Sequence, residues 1–370
     1  MTCLLSVLDW FDSSQGSHMD PLTQGLLGAT ICGSLFSKQL GRWSWAVGLV
    51  AGLLADADMI VSLWMTPLDA LYYHRHFTHT LWFIPIGGLL AALPFMLVPK
   101  MRLRRKSLIL ASMAAFASHA PLDILTSYGT PFFWPIDYTR ISLDIMPIVD
   151  PLFTLILLIG TILLTIKRSS KVGRLTLLVA GLYVAFAATQ HNRALNAQLA
   201  LSEYRGNKVQ IARVMPTPGN VLVWNSVYKT ADTIYTDVIR VPLSSEKAKI
   251  IEGKKYLVLR QAQIFKKHKI TEDSRLAKDI ANFQWFTGEL AAPYDSQKPN
   301  ELADMRYMMQ FGDRQPLWYI KVAYKKPDQP AVLIHPEFDR KEVFNKLWEL
   351  IKAAPENAKS VTEYYPVIEE

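Results

Sequence analysis

The chain has 370 residues, of which 50% are apolar, and carries a formal net charge of +8. An apolar content this high, concentrated in a few uninterrupted runs, argues against an ordinary soluble protein and favours a membrane protein. Most of the excess positive charge lies in short loops between those runs, where it indicates membrane orientation, so we expect no nucleic-acid partner.

The first 18 residues are set apart from the rest of the chain. The tetrapeptide GSHM at 16–19 is typical of the remnant that a protease-cleaved expression vector leaves before a native sequence. The segment before it is short and lacks the basic flank of a signal peptide. We interpret residues 1–18 as a leader or a vector-derived segment, and Met19 as the first native residue.

Six apolar segments follow and predict an α-helical membrane bundle over residues 19–190. The clearest of them carries no charge and is long enough to cross a hydrocarbon core of about 30 Å. The first two contain glycine, serine or aspartate, so one of them could be re-entrant. The six predicted membrane segments are 21–37, 43–64, 80–98, 107–127, 151–166 and 175–190.

The character of the sequence changes after Gln190. Residues 191–370 contain no apolar run long enough to span a membrane, and several stretches alternate β-branched or aromatic residues with polar ones, as strands do. The stretches TEDSRLAKDIANFQWF and DRKEVFNKLWELIKAA have the spacing of amphipathic helices. We therefore predict a soluble α+β domain. The two cysteines, Cys3 and Cys32, lie outside it, which excludes a disulfide framework there.

Basic loops predict how the bundle is oriented. The loops KMRLRRK at 100–106 and KRSSKVGR at 167–174 contain no acidic residue. Because short cytoplasmic loops are enriched in lysine and arginine, we expect both loops in the cytoplasm. The protein is then a multi-pass protein of the cytoplasmic (inner) membrane, with residues 65–79, residues 128–150 and the C-terminal domain outside the cytoplasm.

On this scheme the ionisable residues of the membrane domain lie near its outer end. Because burying an ionisable group in a membrane costs free energy, such residues usually have a function. His119 and Asp123 are four residues apart, so on a helix they share one face and could bind Zn²⁺, Mn²⁺ or Fe. The alternative for this pair is a buried hydrogen bond between helices.

Asp56 and Asp58 are two residues apart and cannot both face one ion unless the helix ends there. One of them could ligate while the other caps or bridges.

The segment HRHFTH brings three histidines and an arginine to the start of the third predicted membrane segment. His76 and His79 are three apart and could converge on a helix, whereas His74 needs a loop to turn it inward. Arg75 could neutralise an anionic substrate group, because a guanidinium matches phosphate in a two-pronged way. The alternative for Arg75 is an interfacial arginine among lipid headgroups.

Four short motifs together resemble the membrane-bound metal-dependent hydrolase family that includes YdjM. In chain order they are MDPLTQ, ADAD, HRHFTHT and SHAPLDILTSYGT, within residues 19–150. The chain departs from the family pattern at Gln24, where histidine is usual, and at His76, where glycine is usual, so His76 could replace a missing ligand. A more remote likeness, from spacing alone, is to zinc-dependent phospholipase C and the S1/P1 nucleases. The resemblance implies a site made of Asp20, Asp58, His74, Arg75, His79, His119 and Asp123.

These observations favour an enzyme, a metal-dependent hydrolase that opens to the outer face of the inner membrane. Its cofactor would be one or more divalent ions, with Zn²⁺ favoured over Mn²⁺ or Fe. An outer-leaflet site favours a phosphoester or ester of a membrane lipid or a lipid-linked molecule as substrate. A spare carboxylate could act as general base. The candidate metal ligands are Asp20, Asp58, His74, His79, His119 and Asp123, and the candidate catalytic residues are Arg75, Asp56 and Asp144.

Two other classes of function stay open at this point, and so does the oligomeric state. Buried histidines and aspartates also line ion paths, so the protein could be a metal or proton transporter. Against this, residues 84–98 and 157–166, in the inner halves of their segments, carry no charge. The second alternative is a non-catalytic membrane binding protein whose metal only stabilises the bundle.

Overall fold

The computed structural model describes residues 20–244, 246–309 and 315–364, and only the backbone of residue 62. The predicted leader, residues 1–18, lies outside these ranges. The described chain forms two compact units. The membrane unit comprises residues 20–188 and 218–220, and the C-terminal unit comprises the other described residues.

The membrane unit is built from α-helices joined by short connections. Its helices are α1 Pro21–Leu40, α2 Ser44–Leu53, α3 Met59–Ser62, α4 Pro67–Tyr73, α5 Ile84–Met96, α6 Pro99–Arg102, α7 Arg105–Phe116, α8 His119–Ile124, α9 Pro151–Lys167 and α10 Ser170–Tyr204, the last of which continues into the C-terminal unit. Its 3₁₀ turns are Gly41–Trp43, Leu54–Asp58, Phe77–His79 and Leu81–Phe83. Such turns are common as connectors between helices, and two of these four, Leu54–Asp58 and Phe77–His79, carry candidate residues.

Glycines allow helices α1 and α2 to pack with their backbones close together. Helix α1 starts after Asp20, whose side chain accepts a hydrogen bond from the first turn at 3.0 Å. It ends at Leu40 and is followed by the capping residue Gly41, whose φ of 63° is a conformation that favours glycine. A Cβ on Gly48 would lie 2.1 Å from the carbonyl oxygen of Gly28, so a larger residue at position 48 would push the helices apart. This contact holds α2 in place, and with it the 3₁₀ turn that follows.

Fewer helices can span a membrane than the six segments predicted. The described chain has three helical stretches that are long and apolar enough, Pro21–Val61, Arg105–Ile124 and Ser170–Tyr204. A bent pair, Pro67–His79 and Leu81–Met96, with 56° between its halves, is the fourth if it counts as one span. The prediction of six is therefore not supported. Helix α2 has 10 residues and α9 has 17, and at about 1.5 Å per residue both fall short of a core of about 30 Å.

The C-terminal unit contains two antiparallel sheets together with helices, which confirms the α+β prediction. The sheets have the strand orders β1-β2-β3-β4-β9 and β5-β6-β7-β8. The strands are β1 Ile211–Pro216, β2 Val223–Lys229, β3 Thr233–Arg240, β4 Lys249–Leu257, β5 Ala291–Pro293, β6 Glu301–Asp304, β7 Tyr319–Lys321, β8 Val332–Ile334 and β9 Lys359–Ser360. The helices are α11 Gln261–His268, α12 Arg275–Phe286 and α13 Arg340–Lys352. The two stretches with helical spacing contain α12 and α13, which begin after the capping residues Ser274 and Asp339.

Candidate metal centre

Turns and helix ends, rather than helix middles, carry the candidate residues. The 3₁₀ turn after α2 presents Asp56 and Asp58, so the helix does end where the two aspartates lie. His74 caps the end of α4, and Arg75 follows with a φ of 57°, which is uncommon for a residue with a side chain. His79 ends the next 3₁₀ turn. Each of these breaks frees neighbouring side chains from the face of a regular helix.

Two histidines and two aspartates meet at the first part of the site. Nε2 of His79 lies 3.4 Å from Oδ1 of Asp56 and 3.2 Å from Oδ2 of Asp123. Nε2 of His119 lies 3.3 Å and 3.6 Å from the same two oxygens. Asp56, His79 and His119 place one ligand atom each within 4.8 Å of one another, close enough to hold a metal ion. The predicted pair His119 and Asp123 is thus confirmed as neighbours on one helix face.

The hydrogen bonds at Nδ1 of His79 and His119 determine which nitrogen of each neutral imidazole carries the proton. Nδ1 of His119 lies 2.6 Å from the carbonyl oxygen of Gly52, which can only accept, so this Nδ1 donates. The hydroxyl of Thr78 donates to Oδ2 of Asp58 at 3.0 Å and has no second proton for Nδ1 of His79, 2.9 Å away. That Nδ1 therefore also donates. In their neutral forms both rings turn an Nε2 lone pair toward the aspartates.

The facing atoms of this group are all acceptors when the imidazoles are neutral. Nε2 of His79, Nε2 of His119 and Oδ2 of Asp123 are buried and make no hydrogen bond to the described residues. Lone pairs that face each other at 3.2 to 3.6 Å repel unless a cation lies between them or a ring is protonated. Imidazole nitrogens and carboxylate oxygens are ligands of Zn²⁺ and similar ions, so the residues present fit a divalent metal.

Asp58 and His74 form the second part of the site, again with Asp56. These three residues also place one ligand atom each within 4.8 Å of one another. Oδ1 of Asp58 lies 3.6 Å from Nδ1 of His74. Oδ2 of Asp58 instead accepts hydrogen bonds from the backbone N–H of Arg75 at 3.1 Å and from the Thr78 hydroxyl. These two hydrogen bonds orient the Asp58 carboxylate in the way that hydrogen bonds to ligating carboxylates orient them around bound metals.

Arg75 and Gln24 hold the other oxygen of Asp123. The Arg75 guanidinium is buried, with Nη2 3.2 Å from Oδ1 of Asp123 and Nη1 3.3 Å from the Thr126 hydroxyl. It also lies over the ring of Tyr128, 5.0 Å from its centre. Nε2 of Gln24 donates to the same Oδ1 at 2.9 Å. Gln24, at the position where the resemblance leads us to expect histidine, therefore contacts the candidate ligand Asp123.

Besides Arg75 and Gln24, three further residues singled out in the sequence belong to neither group. Asp20 caps α1, where its carboxylate accepts hydrogen bonds from the helix and from Thr23. Asp144 has a φ of 57° and lies in a segment whose backbone pairs with residues 124–125, just beyond Asp123. The ring of His76 packs against Trp134, 4.7 Å between centres. The roles predicted for Asp20 and Asp144 stay predictions, and no contact among the residues that the structure describes supports His76 as a substitute ligand.

The structure adds residues that the motifs did not single out as functional. Thr78 bonds both His79 and Asp58, and its place directly before His79 in HRHFTH is a signal that could have been used. Thr126, three residues after Asp123, bonds Arg75. The carbonyl of Gly52 leaves no trace in the sequence, because any residue has one.

Comparison with known proteins agrees with the motifs. Residues 19–194 match the model of the family described as YdjM inner membrane protein, a range that contains every residue of both groups. No curated protein and no solved structure matches the chain. The likeness to phospholipase C and the S1/P1 nucleases therefore stays a hypothesis. Residues 19–194 of this chain are thus similar to the family described as YdjM inner membrane protein.

Proposed function

We propose that the protein is a metal-dependent hydrolase of the inner membrane. One observation carries this proposal: the Nε2 atoms of two imidazoles and the oxygens of two carboxylates face one another at 3.2 to 3.6 Å. A divalent ion held there would polarise a phosphoryl or carbonyl group and lower the pKa of a water molecule, so that hydroxide is available as the nucleophile near neutral pH. Zn²⁺ suits the nitrogen and oxygen ligands, and Mn²⁺ or Fe are alternatives.

The surrounding residues would orient this chemistry. Arg75 and Gln24 hold Oδ1 of Asp123, which leaves Oδ2 on the side of the histidines. Asp56 is the most exposed member of the cluster, with 12% of its side chain accessible, so substrate would approach from its side. Asp56 lies in both groups and serves as a ligand in this proposal. Asp144 then remains the predicted general base.

The proposed substrate is a phosphoester or ester of a membrane lipid or a lipid-linked molecule. Large apolar side chains are exposed in the segments on either side of the candidate residues, among them Trp64, Tyr73 and Trp82. Tryptophan and tyrosine are typical of the membrane interface, where a lipid headgroup would meet the site. The burial of the cluster also suits a second candidate, a non-catalytic protein whose metal stabilises the bundle, and an assay of hydrolysis separates the two.

The assay uses a total lipid extract of bacterial inner membranes and the detergent-purified, Zn²⁺-loaded protein. We expect one lipid class to decline and its hydrolysis product to appear, as measured by mass spectrometry. Chelator should stop the reaction, and His119→Gln should lower its rate by a factor of at least about 100. His76→Ala, a change outside both groups, should keep the full rate. If fully metal-loaded protein releases no lipid-derived product, hydrolysis of these lipids is excluded and the non-catalytic role, in which the metal stabilises the bundle, is favoured.

We further propose that the site and the C-terminal unit lie outside the cytoplasm. The proposal rests on the basic loops at 100–106 and 167–174, which lie on the same side only if an even number of crossings separates them. It therefore requires the 17-residue apolar helix α9 to cross the membrane in addition to Arg105–Ile124, with local thinning of the bilayer around the shorter helix. Protease added to intact spheroplasts should then digest the C-terminal unit while a cytoplasmic marker protein stays whole. If the C-terminal unit is protected until the membrane is broken, it lies in the cytoplasm and the proposed orientation is wrong.

A further inference from the structure

We infer that the site holds two divalent ions, which share Asp56 as a common ligand. The inference rests on the metal site proposed above and extends it. The two groups that could hold an ion are Asp56 with His79 and His119, and Asp56 with Asp58 and His74. Asp56 is the only residue that they have in common.

The second group is organised independently of the first. Two outer hydrogen bonds hold Oδ2 of Asp58, whereas its Oδ1 is buried and makes no hydrogen bond to the described residues. That oxygen lies 3.6 Å from Nδ1 of His74, which is too long for a hydrogen bond and leaves a place for a cation between them. The Asp58 side chain is only 4% exposed, so its unpartnered oxygen is not satisfied by bulk water.

A single ion would leave part of this cluster without a function. A tetrahedral ion takes four ligands. One ion would find all four in His79, His119, Asp56 and Asp123. Asp58 and His74 would then remain as a buried carboxylate and imidazole beside the ion. A shared carboxylate is a common way to hold two ions about 3.5–4 Å apart, the separation at which both act on one substrate.

The second ion also narrows the class of substrate. The cluster contains three carboxylates, Asp56, Asp58 and Asp123, and one guanidinium, that of Arg75, which contacts Asp123. The histidines are neutral when they ligate. One divalent ion would make the formal charge of this cluster zero, and two would leave it positive. A positive site favours an anionic group, so we infer a phosphoester rather than a neutral carboxylic ester as substrate.

Metal content per chain tests this inference on the full-length, detergent-purified protein. After loading with Zn²⁺ and removal of free metal, elemental analysis should give two ions per chain. His74→Ala and Asp58→Asn should each lower the content to one, and His76→Ala, the matched histidine outside both groups, should keep two. One ion per unsubstituted chain would contradict the inference of a second ion but would leave the proposed function unaffected. No bound ion would overturn both.

A second measurement tests the sharing of Asp56 and does not depend on one variant folding well. In protein loaded with Mn²⁺, two ions that share a carboxylate should give an exchange-coupled electron paramagnetic resonance spectrum. His74→Gln, which retains most of the side-chain volume, should convert it to the six-line spectrum of isolated Mn²⁺. Two ions with uncoupled spectra in the unsubstituted chain would contradict a shared Asp56.

Discussion

Replacing His79 with alanine should weaken binding of divalent metal by a factor of more than about 100. Loss of an outer partner of a ligand already costs about 10–100-fold in affinity, and His79 itself offers a ligand nitrogen. Its Nε2 lies 3.4 Å from Asp56 and 3.2 Å from Asp123, so the substitution removes an atom that faces both carboxylates. Titration of the detergent-purified protein with Zn²⁺ against a competing chelator measures the change.

His76 provides the matched control, because it is a histidine of the same short segment. Its ring packs against Trp134 and Tyr73, with 4.7 and 5.6 Å between ring centres, and belongs to neither group. We expect His76→Ala to change the affinity less than about threefold. Equal losses in His76→Ala and His79→Ala would show that metal binding depends on the fold of the segment rather than on one imidazole.

The pair on helix α8 should behave as one unit with His79. His119→Ala and Asp123→Ala are each expected to abolish tight binding, and the double variant should lose no more than either single variant. Substitutions within one cluster are not additive, because the first already removes what the second would weaken. Unchanged affinity in Asp123→Ala would exclude this aspartate from direct contact with the ion.

Arg75→Met should lower the free energy of unfolding by about 3–5 kcal/mol. The Arg75 and Asp123 side chains are each 1% exposed and lie 3.2 Å apart, so the substitution leaves a buried carboxylate without its cation. Methionine keeps much of the volume of the arginine stem and limits the packing loss. Unfolding of the metal-free protein in mixed micelles, followed by circular dichroism, measures the change.

Neutralising the carboxylate tests the cause of that loss. In the Arg75→Met background, Asp123→Asn should recover most of the stability, because an amide needs no counter-charge. Arg75→Met should also keep most of its metal affinity, since the guanidinium contacts Oδ1 whereas the histidines face Oδ2. A loss below about 1 kcal/mol in Arg75→Met would mean that another group neutralises Asp123.

Local spacing in the sequence was enough to predict the parts of the site that lie on one helix. His119 and Asp123 are one turn apart, and the geometry of a helix places them together whatever surrounds them. The same applies to the α+β character of the C-terminal unit, where alternation and capping residues are properties of short stretches. The motifs likewise pointed to the aspartates and histidines that the structure brings together.

Tertiary structure decided the count of spans and the choice among similar residues. Helix length cannot be read from an apolar run alone: residues 43–64 are apolar nearly throughout, but the helix there ends at Leu53 and a 3₁₀ turn follows. That turn is held where glycines let α1 and α2 approach, a contact between segments some 20 residues apart. Its position brings Asp56 to both groups, which spacing alone did not predict.

The histidines of HRHFTH show the same division between local pattern and distant contact. The sequence placed His74, His76 and His79 near a site, but their separation in the chain did not decide which of them point inward. The backbone N–H of Arg75 and the Thr78 hydroxyl both bond Asp58, and these bonds turn His74 and His79 toward the aspartates. His76 is left against Trp134, a residue far along the chain. Loop conformation depends on such long-range partners because a loop has no repeating hydrogen bonds of its own.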